Sequence, residues 1–128
     1  MLVESVLNYL TGLGSAFSIL LSGYIERYEE EFLTPEGVNI RIRVRFPKGH
    51  TLEWNEAVIG EEGHVEYLAY RYHFQDRDNK LIFRYDNPPH FPRLHNFPHH
   101  KHLPDNVIES KRPSVSEVLK EVNEFLEI

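Results

Sequence analysis

From Val38 to Asp86 the chain alternates apolar and polar residues in run after run, and this period of two constrains the fold most. In "VNIRIRVRF" (38–46) every even position is apolar, while Arg41, Arg43 and Arg45 share the other side. Successive side chains of a strand point to opposite faces, so the pattern describes a strand with one wet and one buried face. "TLEWNEAV" (51–58) continues it with Leu52, Trp54 and Val58. "EYLAYRYHFQ" (66–75) sets Leu68, Tyr70, Tyr72 and Phe74 against Ala69, Arg71, His73 and Gln75. "LIFRYD" (81–86) sets Leu81, Phe83 and Tyr85 against Ile82, Arg84 and Asp86. Short turns join the four runs, which predicts an antiparallel meander.

Turn chemistry predicts the register. A three-residue hairpin loop favours glycine last, in the left-handed region. Pro47-Lys48-Gly49 then pairs Ile42 with Trp54 and Arg43 with Glu53. Glu61-Glu62-Gly63 read the same way pairs Trp54 with Tyr70 and Glu53 with Arg71. The turn at Asp76–Asn79 fits two lengths: the longer opposes Arg71 to Arg84, the shorter opposes Arg71 to Asp86 and His73 to Arg84. Either way the polar face carries Arg43, Glu53, Arg71 and Arg84, with Asp86 close by.

The flanks supply helices. Val3, Val6, Leu7 and Leu10 recur at helical spacing before Gly12 and Gly14, which predicts a helix over 2–11. "YIERYEEEFL" (24–33) suits either period; the "TPEG" turn and clear strand after it favour a fifth strand, giving a sheet over 22–86. Ser114 and Glu117 form a capping box ahead of the stripe Val115, Val118, Leu119, Val122, Phe125 and Leu126, a helix over 114–127. The expected fold is α+β, one domain over 1–128: about five antiparallel strands with N- and C-terminal helices covering the apolar face.

Composition removes several classes. Apolar residues are 41% and charged residues 27% of 128, as in ordinary globular domains. With no cysteine there is no disulfide, zinc-thiolate or thiol nucleophile. A net charge of −6 argues against coating nucleic acid by bulk electrostatics, though not against gripping one phosphate locally. No apolar run is long enough for a membrane span. The first residues lack a basic region and carry Glu4 early, so they read as folded structure of a cytoplasmic protein.

The segment 87–113 is the unusual part. It carries six prolines and no periodic signal, and "DNPPHFPRLHNFPHHKH" (86–102) holds five of the eight histidines. Connections this long are uncommon unless functional or disordered, and Phe91, Leu94, Phe97, Leu103, Val107 and Ile108 argue for order. We therefore expect an ordered loop folded over the polar face of the sheet. Three readings fit. Histidines beside Arg71, His73 and Arg84 suit acid–base cleavage of an RNA phosphodiester without metal. Alternatively His90, His100 and His102 with Asp86 offer ligands to a divalent transition metal, in a protein that need not be catalytic. In the third, the histidines only cap turns, which is the simplest account of His50 and His64, while His95 reads as surface.

Residues 70–105 closely resemble the signature block of the TumE-like toxins of two-component toxin–antitoxin systems. That pattern runs Y-x-Y-H-x-x-D, then L-I-F-R-Y-D-N-A-P-H-H-P, then F-P-H-H-K-H. Tyr72, His73, Arg84, Tyr85, Asp86, Asn87, His90, Pro92, Phe97, Pro98, His99, His100, Lys101 and His102 match it. Pro88 replaces the usual alanine and Phe91 an expected histidine, leaving His90 alone of that pair. The resemblance implies a small cytoplasmic toxin of type II, neutralised by a cognate antitoxin encoded beside it. By analogy of architecture with other small toxins it suggests an RNA-cleaving enzyme without a cofactor. In that scheme His99 or His102 is general base, His73 or His100 general acid, and Arg71 and Arg84 hold phosphate. Asp86 orients a neighbour, Lys101 adds charge, and Tyr72, Tyr85, Asn87 and His90 support the site. The first strand, at an edge, is open to pairing with a second copy or with the antitoxin.

Overall fold

The structure, a computed structural model, describes residues 3–127. In chain order it contains α1 (Glu4–Phe17), β1 (Tyr24–Phe32), β2 (Gly37–Arg45), β3 (Thr51–Glu61), β4 (His64–Gln75), β5 (Leu81–Asp86), β6 (His100–His102), β7 (Val107–Glu109) and α2 (Val115–Leu126). The seven strands form one antiparallel sheet in sequence order. The fold class is as expected, and "YIERYEEEF" is a strand. The sheet, however, has seven strands rather than five.

The difference lies in 87–113, expected to be loop throughout. It contains β6 and β7, so the sheet extends to Glu109 and the connection shortens to 87–99. A three-residue strand is too short to show a period, which is why neither can be read from the sequence. The first helix also runs past Gly12 and Gly14 to Phe17; the expected start at Leu2 lies outside the described residues. Each helical glycine costs roughly 0.5–1 kcal/mol. Buried Leu13 and Phe17, the latter edge-on to Trp54 at 5.4 Å, continue the apolar stripe and offset that cost.

One hairpin register is as expected and one is not. Ile42 faces Trp54 and Arg43 faces Glu53. Trp54, though, pairs with Tyr72 rather than Tyr70, and Glu53 with His73 rather than Arg71. The β3–β4 loop is only Glu62 and Gly63, the glycine at φ 78°, and a bulge leaves Leu68 without a partner between Tyr67 and Ala69. Turn and bulge together slip the register by two residues. A slip of two keeps every side chain on its face, whereas a slip of one would invert the strand. Leu68, the bulged residue, is the one turned out to solvent, 64% exposed. The next turn ends with Asn79 in the left-handed region at φ 64°, and it sets Arg71 against Asp86 and His73 against Arg84.

Both helices lie on the apolar face. Beneath them Ile42, Val44, Leu52, Trp54, Tyr72, Phe74 and Phe83 form the core with Val118, Leu119 and Val122 of α2. Trp54 and Tyr72, cross-strand neighbours, stack at 3.7 Å. Ser114 caps α2 through the expected reciprocal pair with Glu117. The other face carries no helix. That leaves the polar side chains of β2, β3 and β4 without a covering helix, while Asp86 of β5 and His100 of β6 are buried.

Candidate functional site on the polar sheet face

Two cross-strand rows build the site. One runs Arg43, Glu53, His73, Arg84, His102; the other runs Arg41, Asn55, Arg71, Asp86, His100. Neighbouring strands lie about 4.8 Å apart, so each residue touches the next in its row. Arg84 thus stands between two imidazoles, His73 and His102. The sequence placed these groups on one face; only β6 shows how they meet.

Asp86 is the hub. Its Oδ2 accepts a hydrogen bond from Arg84 Nε at 3.1 Å, and its Oδ1 lies 2.6 Å from His100 Nε2 and 3.3 Å from His102 Nε2. The two Nε2 atoms are 3.1 Å apart. His100 is sealed, 1% exposed, and its Nδ1 donates to the Pro98 carbonyl at 2.9 Å. Phe91 walls the pair, its ring 4.8 Å from that of His100 and 5.9 Å from that of His102. Burial pushes His102 below the ordinary imidazole range, against the pull of Asp86. His90 is exposed and stands outside the group formed by Asp86, His100 and His102.

Beside the hub lies an arginine-walled depression of about 290 Å³, lined by Arg43, Arg45, Arg71, Arg77, His73 and Gln75 among others. Arg43 is tied to Glu53, and Arg45 to Glu26 at 2.5 Å. Arg71 has no carboxylate within ion-pair reach among the described residues. Partial burial, then the like charge of Arg84, pull it below the usual guanidinium value. It also borders a second depression of about 550 Å³ with Asn55, Asn87, Pro88 and Pro89. His73 Nε2 pairs with Gln75 Oε1 at 2.8 Å, and its Nδ1 faces Arg71 Nη2 at 3.5 Å. Burial, against the Gln75 hydrogen bond and helped by Arg71 and Arg84, holds His73 below the ordinary imidazole range, which favours the neutral ring.

Several expected site residues lie elsewhere. His99 and Lys101 alternate with His100 and His102 and so face the helices: His99 Nδ1 pairs with Tyr70 Oη at 2.9 Å, and Lys101 Nζ bonds Glu121 of α2 at 2.7 Å. Tyr85 Oη donates to Glu121 at 2.6 Å. Tyr72 is buried and donates to Glu56. Asn87 accepts the Tyr70 N–H at 3.0 Å, fastening the chain beside the bulge. Of the two histidines read as turn caps, His64 bonds the Glu62 carbonyl at 3.1 Å and His50 stacks on Phe74 at 5.8 Å; His95, read as surface, is exposed.

Two functional-looking residues escaped the sequence reading. Glu56, 3% exposed, accepts hydrogen bonds from Tyr9 and Tyr72, and burial raises its carboxyl above the usual range. Its signal was available: it occupies an apolar-face position between Trp54 and Val58. Arg112, whose guanidinium lies 3.7 Å above the Tyr67 ring, had none.

The fold and site define a small α+β protein with an arginine–histidine groove on the bare face of its sheet. A family model described as "Toxin TumE" matches residues 18–128, and the chain belongs to that toxin family. No curated protein and no solved structure matches it.

Proposed function

We propose that this toxin cleaves RNA on the polar sheet face and is held in check by a cognate antitoxin. The observation carrying the reading is the order His73, Arg84, His102 across three adjacent strands, with unpaired Arg71 alongside. Arg71 and Arg84 receive the phosphodiester. Neutral His73 removes the 2′-hydroxyl proton, the 2′-oxygen bonds to phosphorus, and the P–O5′ bond breaks as O5′ regains a proton from water in the groove on the His102 side. The products are a 2′,3′-cyclic phosphate and a 5′-hydroxyl. Arg71, bordering both depressions, would hold a single strand passing from one to the other. His99 and Lys101, expected to act here, have no part in this scheme because His99 is turned to Tyr70 and Lys101 to Glu121 of α2.

The test is cleavage of a short RNA by the full chain, with end-group analysis of the products. A cyclic phosphate that disappears with 2′-deoxy substrate supports the scheme; intact RNA under toxic expression levels overturns it. A second reading, a protein that binds without cutting, is favoured by the sealing of His100 from any substrate. It predicts no turnover with wild-type protein.

A further inference from the structure

We infer that Asp86, His100 and His102 form a binding site for one divalent transition-metal ion. The inference goes beyond RNA cleavage and rests only on the geometry of these three residues. Asp86 Oδ1 is buried and receives no hydrogen bond among the described residues, although two ring nitrogens crowd it at 2.6 and 3.3 Å. A buried carboxylate oxygen without a donor is costly and calls for a partner. His100 Nδ1 donates to the Pro98 carbonyl, which leaves Nε2 as the ring atom aimed at the carboxylate.

A cation at the centre resolves the conflict. Atoms spaced 2.6, 3.1 and 3.3 Å apart lie on a circle of radius about 1.8 Å, so a point about 2.1 Å from all three exists, the usual metal–nitrogen and metal–oxygen distance. The surroundings match what metal-binding histidines and carboxylates require. The far nitrogen of His100 is anchored on a backbone carbonyl, and the far oxygen of Asp86 is anchored on Arg84. Phe91 shields one side of the rings. Three protein ligands leave further coordination positions free. Two imidazoles and one carboxylate without thiolate suit zinc, cobalt, nickel, manganese or ferrous iron rather than calcium or cuprous copper. His90 contributes nothing, being exposed and outside the group.

The experiment uses the full chain stripped with a chelator and then titrated with Zn²⁺ or Co²⁺. One equivalent should bind with a rise in Tm, and Co²⁺ should give a visible ligand-field band. Replacing His102 by Gln should weaken binding at least about a hundredfold. Lys48→Ala, an exposed change in the turn between β2 and β3, should leave metal affinity within about twofold. Imidazole ¹⁵N spectra of the wild type supply a check that does not depend on a variant folding. On Zn²⁺ addition the His100 and His102 Nε2 resonances should shift, and those of His90 and His95 should not. Absence of saturable uptake, uptake undiminished in His102→Gln, or shifts confined to other histidines would overturn the assignment. Metal uptake without RNA cleavage would sink the ribonuclease proposal and leave this one standing.

Discussion

Replacing Arg71 by alanine separates a ligand-binding arginine from a structural one. Arg71 is exposed, has no carboxylate within ion-pair reach among the described residues, and sits near the like charge of Arg84. Its removal should therefore leave folding stability within about 0.5 kcal/mol of wild type, the usual range for a surface change. Binding should behave differently. A guanidinium–phosphate hydrogen bond contributes roughly 1.5–3 kcal/mol, so affinity for single-stranded RNA should fall about 10- to 150-fold. The slope of log affinity against log salt should flatten by about 0.7, the value for one phosphate contact on a single strand. Fluorescence anisotropy with a labelled oligonucleotide at several salt concentrations, beside thermal melts, measures all three. Arg93→Ala, an exposed change outside the groove, is the control. An affinity change under threefold, or a stability loss above about 1.5 kcal/mol, would refute the assignment of Arg71 to phosphate.

Three further outcomes are expected. If His73 is the base, cleavage should fall on acidification through a midpoint below the ordinary imidazole value, because burial, Arg71 and Arg84 all disfavour its cation; the residual rate of Arg71→Ala should show that midpoint moved upward. Glu56 keeps its proton to higher pH in the folded chain than in the unfolded one, so stability should decline as pH rises from the unfolded carboxyl value through the folded one. Glu56→Gln should flatten that decline in denaturant titrations at several pH values. Leu119→Ala, at a fully buried position of α2, should cost about 3 kcal/mol in chemical denaturation.

The central strands were legible because their alternation is strict over six residues or more, and because faces survive a slip of two. Partners across β3 and β4 were not, since an exposed leucine in an alternating run gives no sign that it is the bulged residue. The site was half legible. Composition marked the histidines, and the β4–β5 pair, read with its shorter turn, set Arg71 against Asp86 and His73 against Arg84. What failed was the division of "HHKH" between faces. As loop, all four side chains were free to converge; with 100–102 in a strand, His100 and His102 share the polar face while Lys101 turns to Glu121, and His99, just before the strand, pairs with Tyr70. The first helix was underread because glycine was taken as a stop where Leu13 and Phe17 carry the packing onward.

Strand β6 has a mechanical consequence. Its middle residue grips Glu121 of α2 from behind, while the residues either side of it present their rings to Asp86 in front. Three residues cannot pivot about the centre without moving both ends. A partner that levered α2 off the sheet would slacken the imidazole pair from the far side without ever entering the groove.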